Sequence, residues 1–348
     1  MTSPADWRPT ASFETLRARA EVLDAIRRTF RQAGYLEVET PLLSQDVCVD
    51  AWLEPFVLET GLSPISDIST HSNSSADSFK PELYLQTSPE FAMKRLLAAG
   101  AEAIFQIARC FRRDEFSPRH NPEFTMIEWY RTGDTFQRQM DFVEQLVRSI
   151  GLLPLVQAPP RRLPAVVRMT YDEAFEQFVG QPILGSPQSD LVALAKRHGV
   201  VVPQSLESDD RDGWLNLLLA EVIEPQLLQT GPLFIYGFPP SQAALARVSQ
   251  CAVPTAERFE LYLYGIEICN GYQELTDPVE FRRRMADQNA RRREEGLREL
   301  REESRLLDAM QAGFPDSSGV ALGFDRLLMW RLGLTNIEEV IPFPSPRA

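Results

Sequence analysis

The chain has 348 residues, of which 44% are hydrophobic and 24% charged, so it can bury a core without disulfide or metal staples. Its 36 Lys and Arg and 49 Asp and Glu give a net charge of −13, which disfavours a general nucleic-acid-binding surface but not a local basic pocket. No apolar stretch approaches the roughly twenty residues of a membrane span, and no signal-peptide pattern opens the chain, so we expect a cytoplasmic protein. The four cysteines lack CxxC spacing and the three histidines lack an HExxH pattern, which argues against zinc and redox sites.

The N-terminal segment predicts a helix followed by a strand. Residues 12–33 have apolar side chains at helical spacing, with Ser12 as the N-cap and Gly34 ending the helix. The sequence YLEVETPLL (35–43) then alternates like a strand.

A serine-rich stretch at 61–79 predicts a mobile surface loop between strands at 52–58 and 83–86. After the second of these strands, residues 88–99 predict a helix with Ser88 at its N-cap.

The middle of the chain predicts a long hairpin and then an insertion. Strands at 103–112 and 123–131 alternate in polarity on either side of a polar loop. Residues 135–150 predict a helix, and residues 151–230 predict a mainly helical insertion with its own packing.

The C-terminal part predicts two strands within 257–275, a charged helix over 280–311, and a strand running into a helix at 317–333. We interpret the charged run as an exposed helix face, with a contact surface for a partner as the alternative. Because strands outnumber crossover helices and lie in hairpins, the fold class is α+β with an antiparallel sheet flanked by helices. The sequence contains neither the Rossmann fingerprint nor the P-loop motif.

The first hairpin predicts a cluster of polar side chains. Strand parity gives each strand one face that carries such residues: Gln106, Ala108, Cys110 and Arg112 on the first, Phe124, Met126, Glu128 and Tyr130 on the second. If the two faces coincide, this mixture is costly in a core and typical of a ligand site, where Arg112 could bind a phosphate bidentately. A solvated sheet face is the alternative.

The second hairpin, FELYLYGIEICNGYQELTD, predicts a metal site. A two-residue turn at Leu263–Tyr264 would set Glu260 directly opposite Glu267, and opposed carboxylates repel unless a cation such as Mg²⁺ lies between them. A bulge near Asn270–Gly271 is needed for the following polar residues to face the same site: Asn270, Tyr272 and Glu274. The alternative is that one glutamate points to water.

A third element, residues 319–326, combines two glycines with an arginine. Gly319 and Gly323 would let the backbone approach a ligand closely, and Arg326 falls in the first turn of the next helix. A second arginine could bind a triphosphate or stack on a base, although a tight strand–helix turn explains the pattern about as well.

Together these elements resemble the three signature motifs of class II aminoacyl-tRNA synthetases. The first helix with EVETPLL (37–43) resembles motif 1, the dimerising element, which predicts a homodimer. FRRDE with RHNPEFTMIEWYR (111–131) resembles motif 2, and SGVALGFDRLLM (318–329) resembles motif 3. TSPE (87–90) and NGYQELTD (270–277) resemble the lysine-specific branch.

Within that branch, the sequence is similar to the truncated family of elongation factor P–lysine ligases. A motif 1 helix that begins near residue 12 predicts one catalytic domain over 1–348, without an anticodon-binding barrel and without tRNA binding. Ser88 and Ala321 replace the Ala and Gly usual in lysyl-tRNA synthetases. Motif 2 departs from its usual Arg-x-Glu, which leaves open whether Asp114 or Glu115 meets the adenine amine.

The resemblance implies ATP-dependent activation of lysine, preferably (R)-β-lysine, as an adenylate, and its transfer to a lysine side chain of elongation factor P. Arg112 and Arg326 would be catalytic, and Glu260 and Glu267 would hold Mg²⁺. The implied ATP-binding residues are Arg112, Arg113, Asp114, Asn121, Phe124, Glu267, Ile268, Gly323 and Arg326. The implied lysine-binding residues are Ser88, Pro89, Glu90, Glu128, Tyr130, Asn270, Tyr272, Glu274 and Ala321.

Three other functions are compatible with parts of this pattern. They are tRNA charging by a truncated lysyl-tRNA synthetase, a non-catalytic regulatory paralogue, and an amide ligase that makes a small metabolite. The presence of Arg112, Glu267 and Arg326 argues against the non-catalytic paralogue. The acidic lysine-type pocket argues against the metabolite ligase.

Overall fold

The structure is a computed structural model that describes residues 7–59, 82–156 and 158–348. The predicted loop at 61–79 lies outside the described residues. Within the described ranges, no helix combines the length and the apolar composition that crossing a membrane would require.

The described residues form two β-sheets. The strands are β1 (Leu36–Glu37), β2 (Leu43–Ser44), β3 (Val57–Glu59), β4 (Glu82–Leu85), β5 (Ala103–Phe111), β6 (Glu123–Thr132), β7 (Val167–Thr170), β8 (Pro232–Phe238), β9 (Ala256–Leu263), β10 (Ile266–Gln273) and β11 (Ser317–Gly323). The large sheet has the order β1-β5-β6-β11-β10-β9-β8-β7, and β2, β4 and β3 form a small one. In the large sheet the interior strand pairs are antiparallel, whereas both edge pairs, β1 with β5 and β7 with β8, are parallel. The α+β prediction is confirmed, but the sheet is mixed because its short edge strands run parallel.

The described residues also form ten α-helices. They are α1 (Phe13–Gln32), α2 (Glu90–Ala98), α3 (Phe136–Leu152), α4 (Tyr171–Val179), α5 (Gln188–Arg197), α6 (Arg211–Leu218), α7 (Glu224–Thr230), α8 (Pro278–Glu294), α9 (Arg305–Gly313) and α10 (Phe324–Leu332). A π-helical turn, Leu219–Ile223, joins α6 to α7. The predicted first helix is confirmed, with the Ser12 hydroxyl accepting a hydrogen bond from the Thr15 amide at 3.1 Å.

Strand alternation separates a core face from an open face in the large sheet. Side chains of α1, α3 and α10 share one core cluster with Phe105, Trp129, Leu261 and Leu322 of the sheet. Phe30 of α1 stacks on Phe105 with ring centroids 4.4 Å apart. Because side chains alternate along a strand, the neighbouring residues of β5, β6, β9 and β11 point to the opposite face.

Several sequence predictions of local structure are wrong. The strand at 35–43 reduces to β1 and β2, and the strand at 52–58 reduces to β3. Ser88 is not an N-cap, because α2 begins at Glu90. The Ser88 hydroxyl nevertheless accepts a hydrogen bond from the Glu90 amide at 3.0 Å.

The predicted charged helix over 280–311 is also wrong, since α8 ends at Glu294 and α9 begins at Arg305. Gly296, with φ of +68°, follows the end of α8 in the left-handed region that favours glycine. Arg292 in the last turn of α8 is fully buried rather than exposed, and it binds the Glu54 carboxylate and the backbone carbonyls of Asp50 and Leu53.

Candidate active site

The open face of the large sheet forms the floor of a cavity of about 860 Å³. Most of the predicted site residues line this cavity: Ser88, Glu90, Arg112, Asn121, Phe124, Glu128, Tyr130, Glu260, Glu267, Ile268, Asn270, Tyr272, Glu274, Ala321, Gly323 and Arg326. Three predicted site residues do not line it, namely Pro89, Arg113 and Asp114. The sheet register explains this convergence, because Cys110 pairs with Phe124 and Ala321 with Glu128.

The β9–β10 hairpin differs from its predicted register by one residue. Tyr264 (φ +53°) and Gly265 (φ +74°) form the turn, as expected for a two-residue loop with two left-handed residues. The bulge lies between Glu267 and Cys269 rather than near Asn270–Gly271.

As a result, Glu260 pairs with Asn270 and Glu267 pairs with Tyr262, so the predicted direct opposition of the two glutamates is wrong. The bulge nevertheless gives both glutamates the same face as Tyr272, which pairs with Arg258.

Three carboxylates, from Glu90, Glu128 and Glu274, form what we call the acid pocket at one end of the cavity. Glu128 accepts hydrogen bonds from the Ser88 hydroxyl at 2.7 Å and from the Tyr130 hydroxyl at 2.5 Å. Burial, reinforced by the nearby charge of Glu90, raises the pKa of Glu128 to about 8. Burial likewise raises the pKa of Glu274, against the opposing effect of a lysine, Lys94.

Gly319 of β11 lets side chains of the acid pocket lie close to the backbone of the sheet. A Cβ atom at this position would lie 2.3 Å from the Tyr130 ring and 2.5 Å from Glu274 Oε1. Only glycine therefore fits between these two side chains.

Two arginines dominate the other end of the cavity, which we call the phosphate end. Arg112 contacts Glu115 at 3.1 Å and lies over the Phe124 ring at 5.1 Å. Arg326 donates to the Glu267 backbone carbonyl at 3.1 Å and to its carboxylate at 3.3 Å.

A histidine ring supports the second of these arginines. The Nε2 atom of His120 contacts Arg326, and the Ser117 hydroxyl contacts its Nδ1 atom at 2.6 Å. Burial, followed by the charge of Arg326, lowers the pKa of His120, so a neutral ring can accept from the guanidinium. The arrangement leaves Arg326 directed along the cavity.

The two acids that follow the motif 2 arginines take different positions. Glu115 lines the cavity beside Arg112. Asp114 is exposed and pairs with Arg113 at 3.2 Å, and Arg113 also contacts Glu54. Only Glu115 is therefore placed to meet a ligand.

Glu260 and Glu267 can take part in a Mg²⁺ site only together with a ligand. Among residues 7–59, 82–156 and 158–348, no three His, Cys, Asp or Glu side chains converge on a ready metal site. Glu260 already accepts from Arg258 and from the Tyr262 hydroxyl, the latter at 2.6 Å, while Glu267 is 39% exposed. Two carboxylates on one face fit an ion that takes its remaining ligands from phosphate oxygens and water.

The sequence interpretation missed several charged residues of the site. Lys94 follows Glu90 by four residues on α2, a spacing that could have revealed their ion pair. Arg258 shares a strand face with Glu260 by simple parity. Glu224, whose pKa burial raises to about 7, reaches the cavity from the start of α7, and no local pattern predicts that approach.

Unpartnered polar atoms concentrate in this cavity. Among the described residues, buried side-chain atoms without a hydrogen-bond partner include four that belong to cavity-lining residues: Thr87 Oγ1, Arg112 Nε, Arg258 Nε and Asn270 Oδ1. Since buried polar groups are nearly always satisfied, such a cluster indicates a site that a polar ligand completes.

Comparison with known proteins identifies the family. The family described as tRNA synthetases class II (D, K and N) matches residues 3–347. A protein of Mannheimia succiniciproducens named elongation factor P–(R)-β-lysine ligase is 43% identical, with 97% of each chain covered. Proteins of the same name from Haemophilus influenzae (40% identical, 100% of each chain) and Vibrio cholerae (41% identical, 99% of each chain) also match. The chain therefore belongs to the class II tRNA synthetase family, in its aspartate, lysine and asparagine group.

Proposed function

We propose that this protein uses ATP to activate (R)-β-lysine, or lysine, as an adenylate and transfers it to a lysine side chain of elongation factor P. The observation that carries this proposal is the joining of the acid pocket to two arginines in one cavity. The name shared by its relatives supports both the amino acid and the acceptor.

The first step joins two anions. An oxygen of the substrate carboxylate attacks the α-phosphorus of ATP, and pyrophosphate leaves. The enzyme must hold the reactants together and neutralise the developing charge. Arg112 would contact both the carboxylate and the α-phosphate, while Arg326 would lie along the γ-phosphate.

The adenine would bind between side chains of the phosphate end. The Phe124 ring offers a stacking surface, and Glu115 offers an acceptor for the exocyclic amine. Glu260 and Glu267 would hold Mg²⁺, which supplies charge neutralisation and orientation to the phosphates when bound.

The acid pocket would recognise the two ammonium groups of the substrate. Glu128 and Glu274 are each 1% exposed, so their charges are poorly screened and need cationic partners. Asn270 Oδ1 has no hydrogen-bond partner among the described residues and can accept one from the substrate. A lysine or β-lysine supplies both the charge and the donors.

In the second step, the amine of the acceptor lysine attacks the acyl carbon, an amide bond forms, and AMP leaves. The amine must be neutral, so a proton is lost to solvent or to a nearby base. We propose that one catalytic domain performs both steps, and that it acts as a homodimer in the cytoplasm. Sedimentation of the purified protein tests the dimer.

The proposed function is tested by incubating the protein with ATP and either lysine or (R)-β-lysine, together with elongation factor P or lysine tRNA. Mass spectrometry of elongation factor P should show the mass of one added lysyl or β-lysyl group. Charged tRNA without modified factor would instead favour the truncated lysyl-tRNA synthetase. Lack of amino-acid-dependent pyrophosphate exchange would favour a non-catalytic paralogue.

A further inference from the structure

A buried lysine lies directly behind the acid pocket. Lys94 is 3% exposed and follows Glu90 by one turn of α2. Its Nζ atom donates to Glu90 Oε1 at 2.5 Å and forms an ion pair with Glu274 Oε2 at 2.5 Å. Glu90 and Glu274 line the cavity, whereas Lys94 does not. Its ammonium group therefore meets protein carboxylates and not the ligand.

The charges of this cluster can be added up. With a cationic ligand bound, which favours the ionised form of Glu128 despite its raised pKa, Glu90, Glu128 and Glu274 carry three negative charges and Lys94 carries one positive charge, a net charge of −2. Buried charges are stable only when they are paired. The missing partners are two cations, the number that a diamino acid brings in its two ammonium groups.

Lys94 and the ligand contact different parts of the acid pocket. Lys94 contacts Oε1 of Glu90 and Oε2 of Glu274, each at 2.5 Å, so its ammonium group leaves the second oxygen of each carboxylate to the ligand. Glu128 has hydrogen bonds only from neutral hydroxyls in this pocket, so its charge depends most on the ligand.

We propose that Lys94 is an internal counter-ion, a positioning residue that sets the charge of the acid pocket so that it accepts amino acids with two ammonium groups and rejects those with one. This inference rests on the proposed function, whose substrate selectivity it explains. Without Lys94 the sum would be −3, and Glu274, which is 1% exposed, would take up a proton because a buried carboxylate without a cationic partner is unstable. The sum would then return to −2, but the neutral group would be Glu274, which lines the cavity and could no longer balance the second ammonium group of the substrate.

The selectivity for diamino acids should depend on pH through the titratable groups that the described residues bring around Lys94. These groups come from α2, β6, the end of β10 and the segment before β3, and they are Glu90, Glu128, Tyr130, Glu274 and Cys48. Burial raises the pKa of Cys48 and of Tyr130, so both stay neutral near pH 7. Burial also raises the pKa of Glu128 and of Glu274, so these are the two groups whose protonation changes in this pH range.

The test compares equilibrium binding of L-lysine, (R)-β-lysine and norleucine to the full-length protein by calorimetry, between about pH 6.5 and pH 9.5. Norleucine has the same carbon chain as lysine but lacks the side-chain ammonium group. For Lys94→Met, the preference for the diamino acids over norleucine should fall about tenfold or more at pH 7, as expected for a lost charged interaction. The loss should shrink as the pH rises, because the protonated acid then ionises again.

A double variant separates this role from a merely structural one. Glu90→Gln combined with Lys94→Met also gives a sum of −2, but it places the neutral group at residue 90 and removes the like charge beside Glu274, so it should recover most of the preference. Lys94→Gln keeps a polar group beside both carboxylates, and it replaces Lys94→Met if that variant does not fold.

Two results would overturn the inference. One is an unchanged preference for diamino acids in the Lys94 variants. The other is a loss that stays the same at every pH and in the double variant. If the wild-type protein shows the binding pattern but modifies no elongation factor P, the proposed function fails while the role of Lys94 stands.

Discussion

The two ends of the cavity hold their charges in different ways. In the acid pocket, the side chains of Lys94 and Glu274 are 4% and 1% exposed, and they meet at 2.5 Å. At the phosphate end, Arg326 and Glu267 are 21% and 39% exposed, and they meet at 3.3 Å. Water screens the second pair much more than the first.

This difference indicates a division of tasks. Arginines with weak, half-exposed partners can exchange them for phosphate oxygens at little cost. Buried carboxylates cannot stay charged without cationic partners, so they discriminate between ligands by charge. We expect variants at the phosphate end to impair catalysis and variants in the acid pocket to impair selectivity.

The largest effect is expected at the phosphate end from Arg112→Ala. The side chain would contact both reacting groups of the first step, so lysine-dependent ATP–pyrophosphate exchange should fall about 10²–10³-fold or more. Arg109→Ala is the matched control, because Arg109 lies near the end of β5, three residues before Arg112, but is exposed and does not line the cavity. Near-normal exchange by the Arg112 variant would remove its proposed role.

In the acid pocket, Glu274→Gln should act on the amino acid rather than on ATP. The amide keeps the shape of the side chain but loses the charge, which should weaken the binding of lysine by about 2 kcal/mol, or about thirtyfold. The KM for ATP should change little. Glu123→Gln, at the exposed end of β6, serves as the control. Equal effects on both substrates would contradict the division between the two ends.

The stability of the folded protein should depend on pH through Glu128 of the acid pocket. Burial raises the pKa of this carboxyl from 4.5 to about 8, so it favours the folded state while neutral. Its contribution is complete below about pH 4.5 and is lost as the pH rises towards 8.

Urea unfolding of the ligand-free protein at several pH values measures this effect. The difference in unfolding free energy between wild type and Glu128→Gln should fall by a few kcal/mol across that window. A difference that does not vary with pH would show that Glu128 ionises normally in the folded protein.

The smallest effect is expected from the acids that follow Arg112. Glu115→Ala removes the acceptor beside the cavity and should raise the KM for ATP about fivefold to tenfold. Asp114→Ala removes only an exposed ion pair and should change it less than about twofold. The reverse order would mean that the motif 2 loop rearranges when ATP binds.

The sequence was sufficient to predict the elements that carry the site. Alternation in 103–112 and 123–131 predicted a hairpin, which is confirmed, and left open whether its polar faces coincide; the register of β5 with β6 puts them on the same face. The glycine-bounded strand ending at Gly323 and the helix that carries Arg326 are also confirmed. Strand parity is a local property, so it can be read without knowing the rest of the fold.

Tertiary structure decided the features that depend on residues distant in the chain. One extra residue at the bulge between Glu267 and Cys269 changed which side chains face each other, and no local pattern fixes its position. Arg292 ended as a buried anchor for the backbone of Asp50 and Leu53, although its sequence neighbours are typical of an exposed helix.

The charge of the acid pocket is the clearest case of a feature that local sequence does not fix. Its members come from α2, from β6 and from the end of β10, so their sum is fixed only when these elements pack together. Local sequence patterns and the resemblance to class II synthetases were enough to propose which residues bind a diamino acid and ATP. Packing decided how many of those charges remain uncompensated, because that number depends on burial and on partners that the chain brings from far away.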